Sequence, residues 1–127
     1  MINQSELLRN LDPVLLDEEY VFCTFPLSHY GDHVALNPLA SFNEKEGLTL
    51  VIQKETAKLN NLKYEGIFKC ISLKLISSLS SVGLTEKISK VLSENKISAN
   101  MYAGYYHDHI FVPLEKAKDA FKLLYIK

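Results

Sequence analysis

The chain has 127 residues, of which 47% are apolar, and a formal net charge of −1. This length favours one folding unit or two small subdomains, and the apolar fraction suffices for a core without disulfides or metal ions. Fourteen basic and fifteen acidic residues are interspersed, so we expect no nucleic-acid surface. Because no apolar run approaches the roughly 18 residues of a membrane span and the N-terminus has no secretory pattern, we also expect no membrane partner and a cytoplasmic location.

The first half of the chain alternates strand-like runs with polar connections. The spacing Asn3-x-x-Glu6 resembles a capping box that opens a short N-terminal helix. Aromatic and β-branched residues predict strands, and clusters of Gly, Pro and Asn predict turns. We therefore expect strands at 19–25, 39–43 and 48–53, a loop at 26–38, a turn at 43–47 and a short polar helix at 54–61.

The second half shows clearer periodicity. Alternating apolar residues predict a long strand, and Leu84, Ile88, Val91 and Leu92 recur at helical spacing. Asn95 is suited to cap that helix, and Gly104 to form a tight turn or bulge. The predicted order is a strand at 66–76, a loop at 77–83, a helix at 84–95, strands at 97–103 and 107–112, and a helix that begins at Pro113.

The two halves follow similar plans, which indicates an α+β fold. Residues 65–127 read as strand, helix, strand, strand, helix, and residues 1–64 as helix, strand, weak strand, strand, helix. Such an order favours an antiparallel sheet with its helices on one face. We therefore expect two partial copies of one unit, at 1–64 and 65–127, that share a sheet. The two cysteines, Cys23 and Cys70, read as reduced core residues.

Four stretches resemble a bacterial family of short stand-alone ACT-like proteins, distantly similar to aspartate kinases and arginine-sensing ACT proteins. They are 20–24 (YVFCT), 41–50 (SFNEKEGLTL), 77–85 (SSLSSVGLT) and 103–113 (AGYYHDHIFVP). The resemblance implies a ferredoxin-like ACT-type βαββα arrangement and a regulatory domain that binds an amino acid or another small metabolite. A complete ACT unit ends in a strand that the second half lacks; the first half or a partner chain could supply it.

Asp108 is the first candidate for a binding residue. On a strand it would share its face with Ile110 and Val112, and a carboxylate beside apolar neighbours needs a partner. That partner could be the ammonium group of a ligand, and the resemblance implies that an acidic residue here lies near the ligand. Alternatively, Asp108 caps the backbone of the turn around Gly104.

The turns of the two halves supply the other candidates. In the second half, helix N-terminal amides between Ser77 and Thr85 could hold a ligand carboxylate, as the resemblance implies, or the segment is an ordinary connection. The turn at Glu46 is its counterpart, where a solvated acid is the alternative and Gly47 is expected at positive φ. Tyr105 could flank a pocket or pack. The predicted ligand-binding residues are Ser41, Glu46, Gly47, Ser81, Gly83, Leu84, Tyr105 and Asp108.

His107 and His109 fall on one strand face and could reach one metal ion. The alternative is that both pack or form hydrogen bonds at a sheet edge. No catalytic motif is evident, because Cys23 has no evident base and no glycine loop could cradle a phosphate. We expect no catalytic residue and no cofactor. The sequence thus favours a regulatory module that binds an amino acid, forming a homodimer, over an interaction dimer without a small ligand.

Overall fold

The protein is seen in a computed structural model that describes residues 11–74 and 81–125, with Ser81 and Val82 described by their backbone only. The predicted N-terminal helix and residues 75–80, which include most of the predicted loop at 77–83, lie outside these ranges.

The described residues form a mixed α/β fold with six strands, which confirms the predicted class. The strands are β1 (Val14–Phe25), β2 (Ala40–Glu44), β3 (Gly47–Gln53), β4 (Phe68–Lys74), β5 (Asn100–Ala103) and β6 (His107–Pro113). The helices are α1 (Lys54–Leu59), α2 (Ser81–Glu94) and α3 (Ala117–Leu124), with short 3₁₀ turns at Val34–Leu36 and Leu114–Lys116. The strand order is β2-β3-β1-β4-β6-β5, and the pairs β2–β3, β1–β3 and β5–β6 are antiparallel.

The contacts divide the chain into two compact units. Unit 1 combines the residues up to Asp17 with those from Lys69 onward, and unit 2 comprises Glu18–Phe68. The boundary falls inside β1, so this strand contributes to both units. β1 neighbours β4 in the strand order, and within unit 1 the ammonium group of Lys69 donates to the carbonyl oxygen of Asp17 at 2.7 Å. The first half thus supplies the strand that the second half lacks.

The core of unit 1 lies between its strands and two helices. One cluster of buried side chains joins Ile71 and Leu73 of β4 to Ile110 and Val112 of β6. Alternating residues on a strand share a face, so this cluster lies on one face of these strands. The helix residues in the cluster are Leu84, Ile88 and Leu92 of α2, and Ala117, Ala120 and Leu124 of α3. Both helices therefore pack on one face of unit 1.

The N-terminal end of α2 differs from the prediction, and its C-terminal cap agrees with it. The helix already includes Ser81 and Gly83, so the predicted loop at 81–83 is wrong. At the other end, Lys96 adopts positive φ, and Ile97 and Lys96 donate backbone hydrogen bonds to Leu92 and Ser93. This is a Schellman motif with Asn95 at the cap position, as predicted.

Burial in this motif also explains why the next strand is shorter than predicted. Ile97 is buried because it closes the helix end, and β5 begins only at Asn100. Similarly, Pro113 is the last residue of β6, and a 3₁₀ turn separates it from α3. Among the described residues, no helix is both long enough and apolar enough to cross a membrane.

Unit 2 has a core of its own, and the connection from β1 to β2 in this unit contains no α-helix. Val21 and Cys23 of β1 and Leu48, Leu50 and Ile52 of β3 form a buried cluster with Ala57 of α1. β1 begins at Val14, five residues before the predicted start. The connection from β1 to β2 contains only turns and the 3₁₀ turn at Val34–Leu36, in agreement with the predicted loop.

Candidate functional site

The predicted binding residues are distributed over both units. Ser41, Glu46 and Gly47 belong to unit 2, and the remaining five, from Ser81 to Asp108, belong to unit 1. The two groups are therefore described separately, unit 1 first.

Asp108 is a buried carboxylate on the helix-covered face of unit 1. It is 8% exposed, and no other charged residue among those described is buried. It pairs with Ala103 of β5 and alternates with buried Ile110 and Val112, as the strand period predicts. Burial raises the pKa of this carboxyl, because a charged group is less stable away from water. Among the described residues, no side-chain nitrogen or oxygen atom is both sealed from solvent and without a hydrogen-bond partner, the Asp108 oxygens included.

The first turns of α2 cover the same face. Leu84 is buried in the core cluster of unit 1, and the hydroxyl group of Thr85 lies 4.0 Å from the sulfur of Met101. Met101 pairs with Ile110, two residues along β6 from Asp108. A Cβ at Gly83 would meet no atom of a described residue outside its own helix turn within 4 Å. The start of α2, where Ser81 lies, and Asp108 thus belong to one side of one unit.

The turn before β6 is closed by its backbone. The amide of Gly104 donates to the carbonyl oxygen of His107 at 2.9 Å, and a Cβ at Gly104 would lie only 2.8 Å from that oxygen. The predicted tight turn is therefore present. Among the described residues, Asp108 makes no capping hydrogen bond to it. Tyr105 in this turn is 88% exposed and has an edge-to-face contact with Tyr106.

His107 and His109 lie on the opposite face from Asp108. Nδ1 of His109 lies 2.8 Å from the hydroxyl oxygen of Ser72, and the two imidazole centroids are 6.2 Å apart. Burial, followed by the nearby charge of His107, lowers the pKa of His109, while Asp108 raises it. Across the described ranges, no group of three or more His, Cys, Asp and Glu residues could hold a metal ion.

Neither thiol is activated. Burial raises the pKa of Cys70 to about 11, although a hydrogen bond with Ser72 partly offsets this effect. Burial also raises the pKa of Cys23. A thiol that stays protonated at neutral pH is a poor nucleophile.

A pocket of about 260 Å³ lies in unit 2, beneath the connection from β1 to β2. Its lining residues are Tyr30, Gly31, Asp32, Val34, Pro38, Ser41, Leu48 and Leu50. Ser41 is the one predicted residue that lines it. Glu46 lies in the exposed turn between β2 and β3, and Gly47 follows with a φ of 146°, as predicted. Sequence reasoning missed the other lining residues; the length of the loop at 26–38 was the available signal.

A second pocket, of about 330 Å³, lies in unit 1 and contains none of the predicted site residues. Its lining comes from the C-terminal end of α2 and from the helical segment after β6. The residues are Asn95, Ile97, Lys116, Asp119, Lys122 and Leu123.

Known proteins share both the sequence pattern and the fold. Two family models described as ACT domain match residues 3–69 and 66–125. A protein of unknown function from Vibrio cholerae, described as a possible transport protein, is 43% identical, with 95% of this chain and 91% of that chain covered and a TM-score of 0.85. No curated protein matches the chain.

More distant structures share the fold alone. The protein Atu0741 from Agrobacterium tumefaciens is 16% identical, with 88% of this chain and 84% of that chain covered and a TM-score of 0.72. The regulatory subunit of aspartate kinase from Thermus thermophilus is 9% identical, with 91% and 96% covered and a TM-score of 0.62. With a family model matched in each half of the sequence, the chain belongs to the ACT domain family.

Proposed function

We propose that this protein is a cytoplasmic, non-enzymatic regulatory module that binds an amino acid through Asp108. The observation that supports the proposal is the burial of this carboxylate on the face of unit 1 that the first turns of α2 also cover. A carboxylate with little access to water is costly to ionise, and a ligand ammonium group would offset that cost. The cost of keeping Asp108 ionised in the ligand-free protein would therefore favour binding of an ammonium group.

The start of α2 would complete the site. The first amides of a helix have no intrahelical acceptors, and they attract anions. An amino acid carries its ammonium and carboxylate groups on one carbon, so both recognising groups must lie on the same side of the protein. Asp108 and the first turns of α2 meet this requirement, with Gly83 leaving room beside them. Ser41, Glu46 and Gly47 of residues 1–64 stay predicted ligand contacts, and the amino-acid site proposed here does not include them. For residues 65–127 together with the rest of the chain, we propose a homodimer.

Regulation would follow from unequal affinity for two arrangements of the protein. A ligand shifts a conformational equilibrium only by the difference between its affinities for the two states. The similarity to regulatory subunits of aspartate kinase supports a regulatory role of this kind.

Thermal denaturation in the presence of each of the twenty amino acids tests the proposal. A ligand at one hundred times its dissociation constant adds about 2.7 kcal/mol to the free energy of unfolding. We expect such stabilisation from a small set of amino acids, and its loss in Asp108→Asn. Asp17→Asn, which alters an exposed carboxylate, is the matched control and should retain it.

Asp108→Asn should remain folded. Because the pKa of Asp108 is raised in the folded state, the ionised carboxylate weakens folding above that pKa, and this cost disappears as the pH falls below the unfolded value. The amide removes the charge, so lost stabilisation would reflect lost binding. If no amino acid stabilises the wild type, the amino-acid proposal is rejected.

An interaction dimer without a small ligand is the second candidate. Tyr105 and Tyr106 are 88% and 75% exposed, and large exposed aromatic groups are typical of interface anchors. Phe111, by contrast, is buried within the chain and packs edge-to-face on Tyr102. Sedimentation equilibrium of the wild type and of Tyr105→Ser tests this function: a dimer that weakens in the variant, with no amino acid bound, would favour it.

A further inference from the structure

The pocket in unit 2 exists because a loop covers part of the sheet. Residues 26–39, between β1 and β2, contain no α-helix. Leu36 from the 3₁₀ turn packs on the core cluster of unit 2, while Leu48 and Leu50 form part of the pocket wall. A full helix would bury more of this surface, and the shorter cover leaves a concave space beside it.

The covering loop is held in place by several contacts. The amide of Tyr30 donates to the side-chain oxygen of Asn43 at 2.8 Å, and the ring of His33 stacks on Phe25 with centroids 4.2 Å apart. The hydroxyl group of Ser28 lies 3.1 Å from Nε2 of His33. These contacts tie the loop to both β1 and β2, so the pocket is formed before any ligand arrives.

The lining of the pocket is mostly apolar and has one charged member. Leucine, valine, proline and tyrosine side chains provide the apolar surface, and Ser41 provides a hydroxyl group. The charged lining residue is Asp32, whose Oδ2 accepts a hydrogen bond from the amide of His29 at 2.9 Å. No lysine or arginine belongs to the lining. A ligand carboxylate would therefore meet a like charge and no counter-charge.

We propose that this pocket binds a small aliphatic amine that lacks a carboxylate. Its ammonium group would lie beside Asp32, and its alkyl chain against Leu48 and Leu50. A cavity of about 150 Å³ can hold a benzene-sized molecule, so a pocket of about 260 Å³ has room for a branched amine of five or six heavy atoms. This site is separate from that of Asp108, which requires both charged groups of an amino acid.

Three probes that share a 3-methylbutyl skeleton test the proposal: isoamylamine, 3-methyl-1-butanol and leucine. Each is titrated into the ¹⁵N-labelled full chain at pH 7.5, and binding is followed by amide chemical shifts. We expect isoamylamine to shift the amides of Gly31, Val34, Ser41 and Leu50. Leucine should bind at these positions at least fivefold more weakly, because its carboxylate faces Asp32.

Asp32→Asn separates charge recognition from apolar burial. Since Asp32 is 44% exposed, its pairing with an amine is partly screened, and we expect isoamylamine to bind about two- to fivefold more weakly to the variant. The alcohol should bind both proteins equally, which also shows that the pocket remains intact. Asp119→Asn, in the pocket of unit 1, is the matched control and should bind the amine like the wild type.

The outcomes distinguish this site from the proposed amino-acid site. Equal binding of leucine and isoamylamine, an unchanged affinity in Asp32→Asn, or amine-induced shifts confined to unit 1 would each overturn the proposal. Repeating the amine titration with Asp108→Asn should give the wild-type result. The amino-acid proposal can therefore fail while this one holds, and the reverse.

Discussion

Glycines 47 and 83 occupy very different surroundings. Gly47 begins β3 with a φ of 146°, and a Cβ there would lie 2.6 Å from the carbonyl oxygen of Phe25. Gly83 lies within α2, where a Cβ would meet nothing within 4 Å among the part of the chain that the structure describes. Only the first position requires the absence of a side chain.

We expect Gly47→Ala to lower the free energy of unfolding by more than about 2 kcal/mol, because backbone strain and a backbone clash combine. Gly83→Ala should raise it by about 0.5 to 1 kcal/mol, since alanine loses less entropy in a helix. Urea denaturation measures both. Gly31→Ala, with a φ of 99° and open space around it, isolates the strain. A destabilising Gly83→Ala would contradict the open surroundings of that glycine.

His109 should make stability depend on pH. Its pKa is lowered in the folded state, first by burial, so the unfolded chain binds a proton more readily. Stability is therefore retained above the unfolded pKa and lost as the pH falls through it toward the folded pKa. Between pH 7.5 and pH 5.5, His109→Gln should lose less stability than the wild type in urea denaturation. His29→Gln, whose side chain is 81% exposed, should behave like the wild type; equal losses in all three proteins would refute the prediction.

Periodicity determines which individual residues can be placed from the sequence. Asp108 could be assigned to a buried face because Ile110 and Val112 follow at intervals of two, as a strand requires. Asp32 could not be assigned to a pocket, because a loop has no period and its shape depends on contacts such as that between Tyr30 and Asn43. Tyr105 lies in a turn, where the alternation of a strand does not apply.

At the level of elements, the sequence predicted which strands and helices are present better than it predicted where each one begins and ends. All six predicted strands are present, yet β1 begins five residues early. Asp17 and Glu18 interrupt the apolar pattern there, and both side chains are exposed on the strand. The start of α2 was missed because Ser81 and Gly83 are weak helix formers. Tertiary burial of Leu84 and Ile88 outweighs that weakness.

Ile88 tests how strongly packing holds α2. It is fully buried in the cluster of unit 1, so Ile88→Ala should cost about 2 to 4 kcal/mol, the usual range for such a core truncation. Ser89→Ala alters the next, exposed residue and should change stability by less than about 0.5 kcal/mol. Chemical denaturation followed by far-ultraviolet circular dichroism measures both. A loss of unfolding free energy below about 1 kcal/mol for Ile88→Ala would mean that packing of this side chain does not hold the helix in place.

For the molecule as a whole, β1 is the element that both units share, because the boundary between the units falls within it. Unfolding of β1 would therefore remove a strand from each unit. We therefore expect one cooperative unfolding transition. Ile88→Ala in unit 1 and Leu50→Ala in unit 2 should each shift the entire calorimetric transition to lower temperature. Two resolved transitions, with each variant affecting only one, would contradict this expectation.

The position of β1 beside β4 has a practical consequence for dividing the protein. A cut after residue 64 places these neighbouring strands on separate polypeptides, each with an open hydrogen-bonding edge. Neither piece alone holds a complete sheet, yet each carries the strand that the other lacks. The two polypeptides are thus suited to fragment complementation, in which recovery of the folded structure would report their association.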